Sequence, residues 1–354
     1  MARTDRGAFV PACGLLIGAF LVGAIGVGGR SAVWAQRNAV IRSSGSSTVG
    51  PITTLALEGF GRSGQGRGAS WTPVVENGTG GGFRDFCAGK TAISNASRPI
   101  NTKELSACKA TGVTFYELPI GFDAITVTVN SANSWARDIT LRELKTLWSR
   151  SGEKTVTRWN QVRPSWPVRP IKLFSPGQDS GTFDYFTKAI TGEQGNSRRD
   201  VISSEDDNLL VNGVASEINA MGYFGFAYYK NNPNKLRALA VLGPKGKVFP
   251  TEKTVQNETY QPLSRPMFIY VNAQQLASNP SLQSFVNSYL NNASRLVRQE
   301  GSIPLSDSQV RLVQNKFFRH VLGSAFAGEL PVGLTLGEVI NRSIDANKKP
   351  QFRL

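Results

Sequence analysis

Three polar turns in this 354-residue chain combine glycine with hydroxyl side chains, and each stands directly ahead of an apolar helical run. They are Ser43-Ser44-Gly45-Ser46-Ser47-Thr48, Asn77-Gly78-Thr79-Gly80-Gly81-Gly82 and Gly177-Gln178-Asp179-Ser180-Gly181-Thr182. The start of a helix presents unpaired backbone N–H groups and about half a positive charge, so it attracts an anion without any cationic side chain. Glycine lets the backbone come close, and a Ser or Thr hydroxyl either caps the helix or donates to an oxygen of the anion. Capping alone explains one such turn. Three in one chain point to convergence on a tetrahedral oxyanion, whose four oxygens need many donors.

Other chemistries find little to work with. One histidine and three cysteines leave no ligand set for a zinc centre. Gly89-Lys90-Thr91 ends like a phosphate-binding P-loop, but the preceding glycine, Gly82, stands at the wrong distance and the segment closes a helix rather than opening one. Ser106-Ala107-Cys108-Lys109 has the Ser-x-x-Lys spacing of acyl enzymes without the Lys-Thr-Gly partner. His320 sits among Phe317, Phe318 and Val321 in a terminal helical run, the setting of a structural histidine rather than a catalytic base.

With 40% hydrophobic and 18% charged residues, against about 25% charged in an average protein, the chain is a folded one with a sizeable core. Its 40 Lys+Arg against 25 Asp+Glu give +15, which suits nucleic acid, an anionic membrane surface or small anions. Aromatic residues do not interleave with the basic ones, which argues against nucleic acid. Arg3 and Arg6 precede an uncharged apolar run, Leu15–Gly29, and Val33-Trp34-Ala35 offers small residues at both positions read by a signal peptidase. Residues 1–35 therefore read as a cleavable signal peptide, the rival being a retained anchor. Cys13 precedes the apolar run instead of following it, which argues against a lipoprotein. Loss of the three arginines and one aspartate of residues 1–35 takes the charge from +15 to +13, so the basic character belongs to the exported part. In an oxidising compartment the two remaining cysteines, Cys87 and Cys108, are expected to form a disulfide, the rival being two buried thiols.

Strand-like and helical runs alternate along the chain, which gives an α/β class. Strands are expected at Val40–Arg42, Thr72–Glu76, Ile125–Asn130, Ile171–Phe174, Tyr223–Tyr229, Ala238–Val241 and Met267–Val271. Helices are expected at Val49–Phe60, Gly81–Ala88, Leu141–Trp148, Thr182–Ile190, Leu209–Asn219, Leu282–Arg298 and Asp307–Val321. No repeat of 20–50 residues is visible, which argues against a solenoid. The extended apolar segments Ala124–Asn130 and Phe268–Asn272 permit two crossings, with one lobe inserted into another.

At these turns the sequence resembles the phosphate-binding proteins of bacterial ABC phosphate importers, the PstS family, and within it the SphX-like subgroup. The resemblance runs through Gly45-Ser46-Ser47-Thr48-Val49, Gly78-Thr79-Gly80-Gly81-Gly82, Ile93-Ser94-Asn95-Ala96-Ser97-Arg98-Pro99-Ile100, Asp179-Ser180-Gly181-Thr182-Phe183-Asp184, Ser204-Glu205-Asp206-Asp207-Asn208, Gly222-Tyr223-Phe224-Gly225-Phe226-Ala227-Tyr228-Tyr229 and Pro262-Leu263-Ser264-Arg265-Pro266. It implies a two-lobed type II periplasmic binding fold that closes over one phosphate in the cleft. Lobe 1 is expected to take residues 36–128 and 268–322, lobe 2 residues 129–267, with 323–354 a C-terminal extension.

Carried over position by position, the resemblance implies phosphate donors at Thr48 with the Val49 amide, at Thr79, and at Ser180 with the Gly181 and Thr182 amides. Two positions depart from the family. Arg98 stands where many members have an aspartate after the Ala-Ser pair, and Pro176 stands where they have an arginine ahead of the Ser-Gly-Thr turn. The cation is thus expected to have changed lobes, with Arg98 supplying the guanidinium fork. A carboxylate acceptor is what separates HPO₄²⁻ from sulfate, and Asp179 is the expected replacement, ahead of Asp206 and Asp207. The expected protein is a monomeric periplasmic receptor, not an enzyme, needing no cofactor. It binds inorganic phosphate with high affinity and hands it to a membrane-embedded ABC permease. The rival is a secreted phosphatase or phosphoester-processing enzyme using the same cradle.

Overall fold

Two long extended segments, apolar apart from Glu117, Asp123, Arg265 and a few uncharged polar residues, form the centre of the molecule. In the computed structural model, which describes residues 39–345, Phe115–Ala124 and Ser264–Asn272 are buried at every position and pair antiparallel over their whole length. Strands buried on both faces lose alternation and read as continuous apolar runs. They lie in a five-stranded sheet in the order Ser43–Gly45, Ile93–Ala96, Ser264–Asn272, Phe115–Ala124, Ile303–Pro304. A second five-stranded sheet runs Ile202–Ser204, Lys172–Pro176, Ala220–Phe224, Thr126–Asn130, Leu236–Ala238. A smaller sheet joins Gly246–Val248, Ala240–Gly243 and Asp138–Thr140. Helices cover the sheets, giving the two-lobed α/β fold.

The chain leaves the first sheet at Ala124, enters the second at Thr126 and returns at Ser264. The crossings are bonded to one another: the Ile125 amide donates to the Leu263 carbonyl at 2.8 Å, and the Tyr260 hydroxyl donates to the Ile125 carbonyl at 2.8 Å. The sheets thus change a few residues earlier than the expected limits at 128 and 267, because Thr126–Asn130 already pairs with Ala220–Phe224 and Ser264 already pairs with Ala124.

Helix starts follow their sequence signals. Pro51 opens Gly50–Arg62, Thr140 caps Leu141–Trp148 in a reciprocal box with Glu143, and Ser180 caps Gly181–Thr191. Three expected strands differ. Val40–Arg42 gives only an isolated bridge of Ile41 with Trp71, the strand itself running Ser43–Gly45. Thr72–Glu76 contributes only an isolated bridge, Val75 with Ser44. Tyr223–Tyr229 splits into the end of strand Ala220–Phe224 and the helix Phe226–Lys230, because the Phe226 amide donates to the distant Asp123 carboxylate at 2.8 Å and so starts a helix after Gly225.

Cys87, at the end of helix Gly78–Cys87, is joined to Cys108 of helix Thr102–Ala110 by a disulfide across 21 positions. The bridge ties the second glycine-rich helix to its neighbour. Reduction is expected to lower stability by about 3 kcal/mol on loop-entropy grounds, read as a drop in the denaturant midpoint with dithiothreitol. An unchanged midpoint would remove the bridge from the stability account. The export reading of residues 1–35 lies outside the described residues. Among the described residues no helix is long and apolar enough to cross a membrane.

Candidate functional site

The three turns of the sequence meet at one buried place. Thr48 ends the first turn, with the Pro51-led helix following; Thr79 is the second residue of helix Gly78–Cys87; Ser180, Gly181 and Thr182 open helix Gly181–Thr191. Thr48, Thr79, Ser180 and Thr182 are each at most 4% exposed. A Cβ placed on Gly181 would lie 2.5 Å from Thr79 Oγ1 and 2.6 Å from Ser97 Oγ. Only glycine therefore allows the third turn, from the second lobe, to approach the hydroxyls of the first. The Thr79 hydroxyl accepts from the Ser97 amide at 3.2 Å and lies 3.3 Å from the Ser97 hydroxyl. Ser97 is thus a member of the site that was absent from the expected donors.

The cation at this place is Arg265. Its guanidinium is fully buried, donates through Nη2 to Thr48 Oγ1 at 3.0 Å and to Thr182 Oγ1 at 2.8 Å, and reaches the Ser97 carbonyl through Nη1 at 3.3 Å. Its counter-ion is Asp123, also fully buried, which accepts from Nε at 3.0 Å and Nη2 at 2.8 Å. The two face each other in the register of the central antiparallel pair. A charged pair one position in from the adjoining ends of two buried strands is costly unless function or full hydrogen bonding retains it. That was the signal available in the sequence: an arginine and an aspartate interrupting the two longest apolar strands.

Arg98 is corrected by the structure. Its Nε donates to Asp184 at 2.6 Å, and its two terminal nitrogens clasp both oxygens of Glu104 at 2.8 and 2.7 Å, with the Pro99 carbonyl a further acceptor at 3.0 Å. Two carboxylates have already taken the guanidinium fork, so Arg98 ties helix Gly181–Thr191 to the first lobe instead of meeting an anion. Asp179 is corrected in the same way. Arg84 grips both of its oxygens at 2.5 and 2.6 Å and holds its carboxyl below the ordinary range, in a partly exposed position. Its backbone carbonyl accepts the Gly80 amide at 2.8 Å, so Asp179 also works as a link between lobes.

The backbone donors divide into two groups. The Val49 amide closes its own turn on the Ser46 carbonyl at 3.1 Å, and the Thr182 amide donates to the Ser180 hydroxyl at 3.1 Å, so an anion would share bonds already made there. The amides of Thr79 and Gly181 find no acceptor among the described residues. Together with the hydroxyls and Arg265, these groups gather the charge and hydrogen-bond donors that suit a small multivalent oxyanion. Among the described residues no group of His, Cys, Asp and Glu could hold a metal ion.

Asp206, one of the weaker carboxylate candidates, caps its own helix and is exposed, whereas Asp207 is buried and accepts the Ser47 hydroxyl at 2.6 Å across the lobes. Burial pushes Asp207 up to about 6, against the bond from Ser47 and the attraction of Arg265, with Asp123 and Asp206 adding to the rise. A carboxyl raised in the folded state costs nothing below its unfolded value and weakens the fold as pH climbs through the folded one. Asp207 is therefore expected to lower stability by about 2–3 kcal/mol between roughly pH 4 and pH 6, and Asp207→Asn to flatten that part of the profile. Thermal melting of both chains at pH 4.5 and 7.5 measures it; parallel profiles would contradict the assignment.

A two-lobed α/β binding protein, with helix starts and one buried arginine brought together from both lobes, is the class defined by this geometry. Comparison with known proteins agrees. The family model of the PBP superfamily domain matches residues 31–291. Protein SphX of Synechocystis is 48% identical over 307 residues, covering 87% of this chain and 90% of the relative. The phosphate-binding protein PstS of Staphylococcus saprophyticus is 34% identical, covering 84% and 89%. Among solved structures, a possible phosphate-binding protein from Planctomyces limnophilus aligns with TM-score 0.59 and 37% identity, over 80% of this chain and 98% of its own. A Clostridium perfringens protein solved with bound phosphate aligns with TM-score 0.63 and 25% identity, over 76% and 100%. The chain belongs to the PBP superfamily and, within it, to the family of SphX and PstS proteins.

Proposed function

We propose that this chain is an exported receptor that binds inorganic phosphate with high affinity in the periplasm and delivers it to an ABC permease without bond chemistry. The observation that carries this reading is the meeting of donors from both lobes, Thr48, Thr79, Ser97 and Gly181–Thr182, around the fully buried guanidinium of Arg265. The names of its relatives support the ligand. We place lobe 1 at residues 39–125 and 264–322 and lobe 2 at 126–263, with residues 1–35 a signal peptide and the working form a monomer. The ligand-contacting set is Thr48, Thr79, Ser97, Ser180, Gly181, Thr182 and Arg265, with the Val49 amide sharing its turn bond.

Asp123 takes the part first given to Asp179. It is the fully buried carboxylate joined to Arg265, and it offers an acceptor to a protonated phosphate where sulfate has no proton to give. Asp123→Asn is expected to shrink the preference for phosphate over sulfate by about 10- to 100-fold, the value of a charged hydrogen bond. Competitive calorimetry at fixed pH reads the ratio, and an unchanged ratio removes Asp123 from the proposal.

The reading as a whole is tested by titrating the mature protein with phosphate in a calorimeter while assaying a chromogenic phosphomonoester. Micromolar or tighter phosphate binding without turnover is the expected result. Turnover lost in Thr79→Ala would support the phosphatase instead.

A further inference from the structure

The family model ends at residue 291, yet the chain continues and folds back against the first sheet and helix Gly181–Thr191. Gly323 pairs with the first sheet through its amide and the Phe115 carbonyl at 2.8 Å. The Ser324 hydroxyl and the Ala325 amide then occupy the two oxygens of the fully buried Glu117, at 2.5 and 2.9 Å. Phe326 packs edge-on against Phe268, with ring centres 5.7 Å apart. Up to this point the segment is fastened to lobe 1.

The next anchor lies on the other lobe. Gly333, at φ +73°, turns its amide toward Tyr185 of helix Gly181–Thr191 and donates to its hydroxyl at 2.8 Å. That same hydroxyl donates to the Ser264 carbonyl at 2.8 Å, in the residue directly before Arg265. Gly333 also lies beside Gln261 and Pro262, just before the second crossing between the sheets. Tyr185 is fully buried and sits one turn after Gly181 and Thr182. One hydroxyl thus joins three pieces: the C-terminal segment, the crossing strand that bears the cation, and the helix whose start supplies the donors.

We propose that residues 323–334 act as a strap across the hinge, with Tyr185 the positioning residue through which the strap holds Arg265 and the first turn of helix Gly181–Thr191 in place and slows release of the bound anion. The inference rests on the phosphate reading for its ligand but not for its geometry. With the strap detached, the lobes part more readily around the Ile125 and Leu263 crossing. The rate of release rises, while the donors themselves are untouched and association changes little.

Two variants of the mature chain test this. Tyr185→Phe removes both bonds of the hydroxyl. Gly333→Pro removes the strap's donor and cannot adopt the local backbone, but leaves the Tyr185 to Ser264 bond intact. Phosphate association and release by stopped flow, and amide exchange over residues 181–187 and 262–268 in protein without phosphate, are the readouts. Both variants are expected to speed release about 3- to 10-fold, the value of one or two hydrogen bonds, with association within about twofold of the parent and faster exchange in both segments. Faster release in Tyr185→Phe alone would show that the tyrosine acts without the strap, and unchanged release in both variants would equally overturn the proposal. If the parent chain binds no phosphate, the ligand reading fails by itself. Exchange then decides the strap: faster in Gly333→Pro supports it, and unchanged exchange overturns it.

Discussion

Arg265→Met is expected to weaken phosphate binding about a hundredfold, because truncating a buried hydrogen-bonded charge at a binding site costs about 2–5 kcal/mol of affinity. The loss has two parts. Thr48 and Thr182 lose the donor that orients them, and Asp123 is left as a fully buried carboxylate with only the Phe226 amide to hold it. An uncompensated negative charge beside an anion site repels what the site was built to bind. Arg265→Lys keeps the charge but not the fork, and the guanidinium here contacts Asp123, Thr48, Thr182 and Ser97 through three nitrogens. It is expected to recover only a small part of the affinity. Calorimetry on the three proteins measures this, and near-parental affinity in Arg265→Met would remove the cation from the site.

Arg98→Met separates the two buried arginines. It leaves Glu104 and Asp184, with side chains only 12% and 9% exposed, facing each other without a cation, and is expected to cost about 3 kcal/mol or more of stability. Binding suffers as well, since Asp184 lies in the first turn of the helix that brings Gly181 to Thr79, but the ratio of phosphate to sulfate affinity is expected to stay at the parental value. Denaturant unfolding and competitive titration together distinguish the cases. A normal unfolding midpoint combined with a loss of affinity like that of Arg265→Met would return Arg98 to the anion.

Local chemistry made the turns legible and long-range pairing hid the buried arginine. Each turn carries its own signal in glycine, hydroxyl and the apolar run that follows, so the turns bearing Thr48, Thr79 and Ser180–Thr182 could be read from neighbouring residues, while the choice of those positions as donors came from the family resemblance. Arg98 looked suitable for the same reason, standing beside the Ala-Ser pair. What disqualifies it is Asp184, 86 positions away, together with Glu104. Arg265 lies 142 positions from Asp123 and 217 from Thr48, and only the antiparallel register of the central strands brings them together. The same limit governed the run Tyr223–Tyr229, whose β-branched-poor, aromatic composition reads as strand until the Asp123 carboxylate takes the Phe226 amide. Asp179 follows a similar course: the turn it belongs to was legible, but the grip of Arg84, 95 positions earlier, was not.

The position of the anion decides the whole account. Crystals of the mature protein grown with arsenate, a heavier stand-in of the same shape and charge, locate it by the anomalous signal of arsenic. The atom is expected within hydrogen-bonding reach of Thr48, Thr79, the Gly181 amide and Arg265. Arsenic beside Arg98, out on the protein surface, or missing from crystals at saturating arsenate would contradict it.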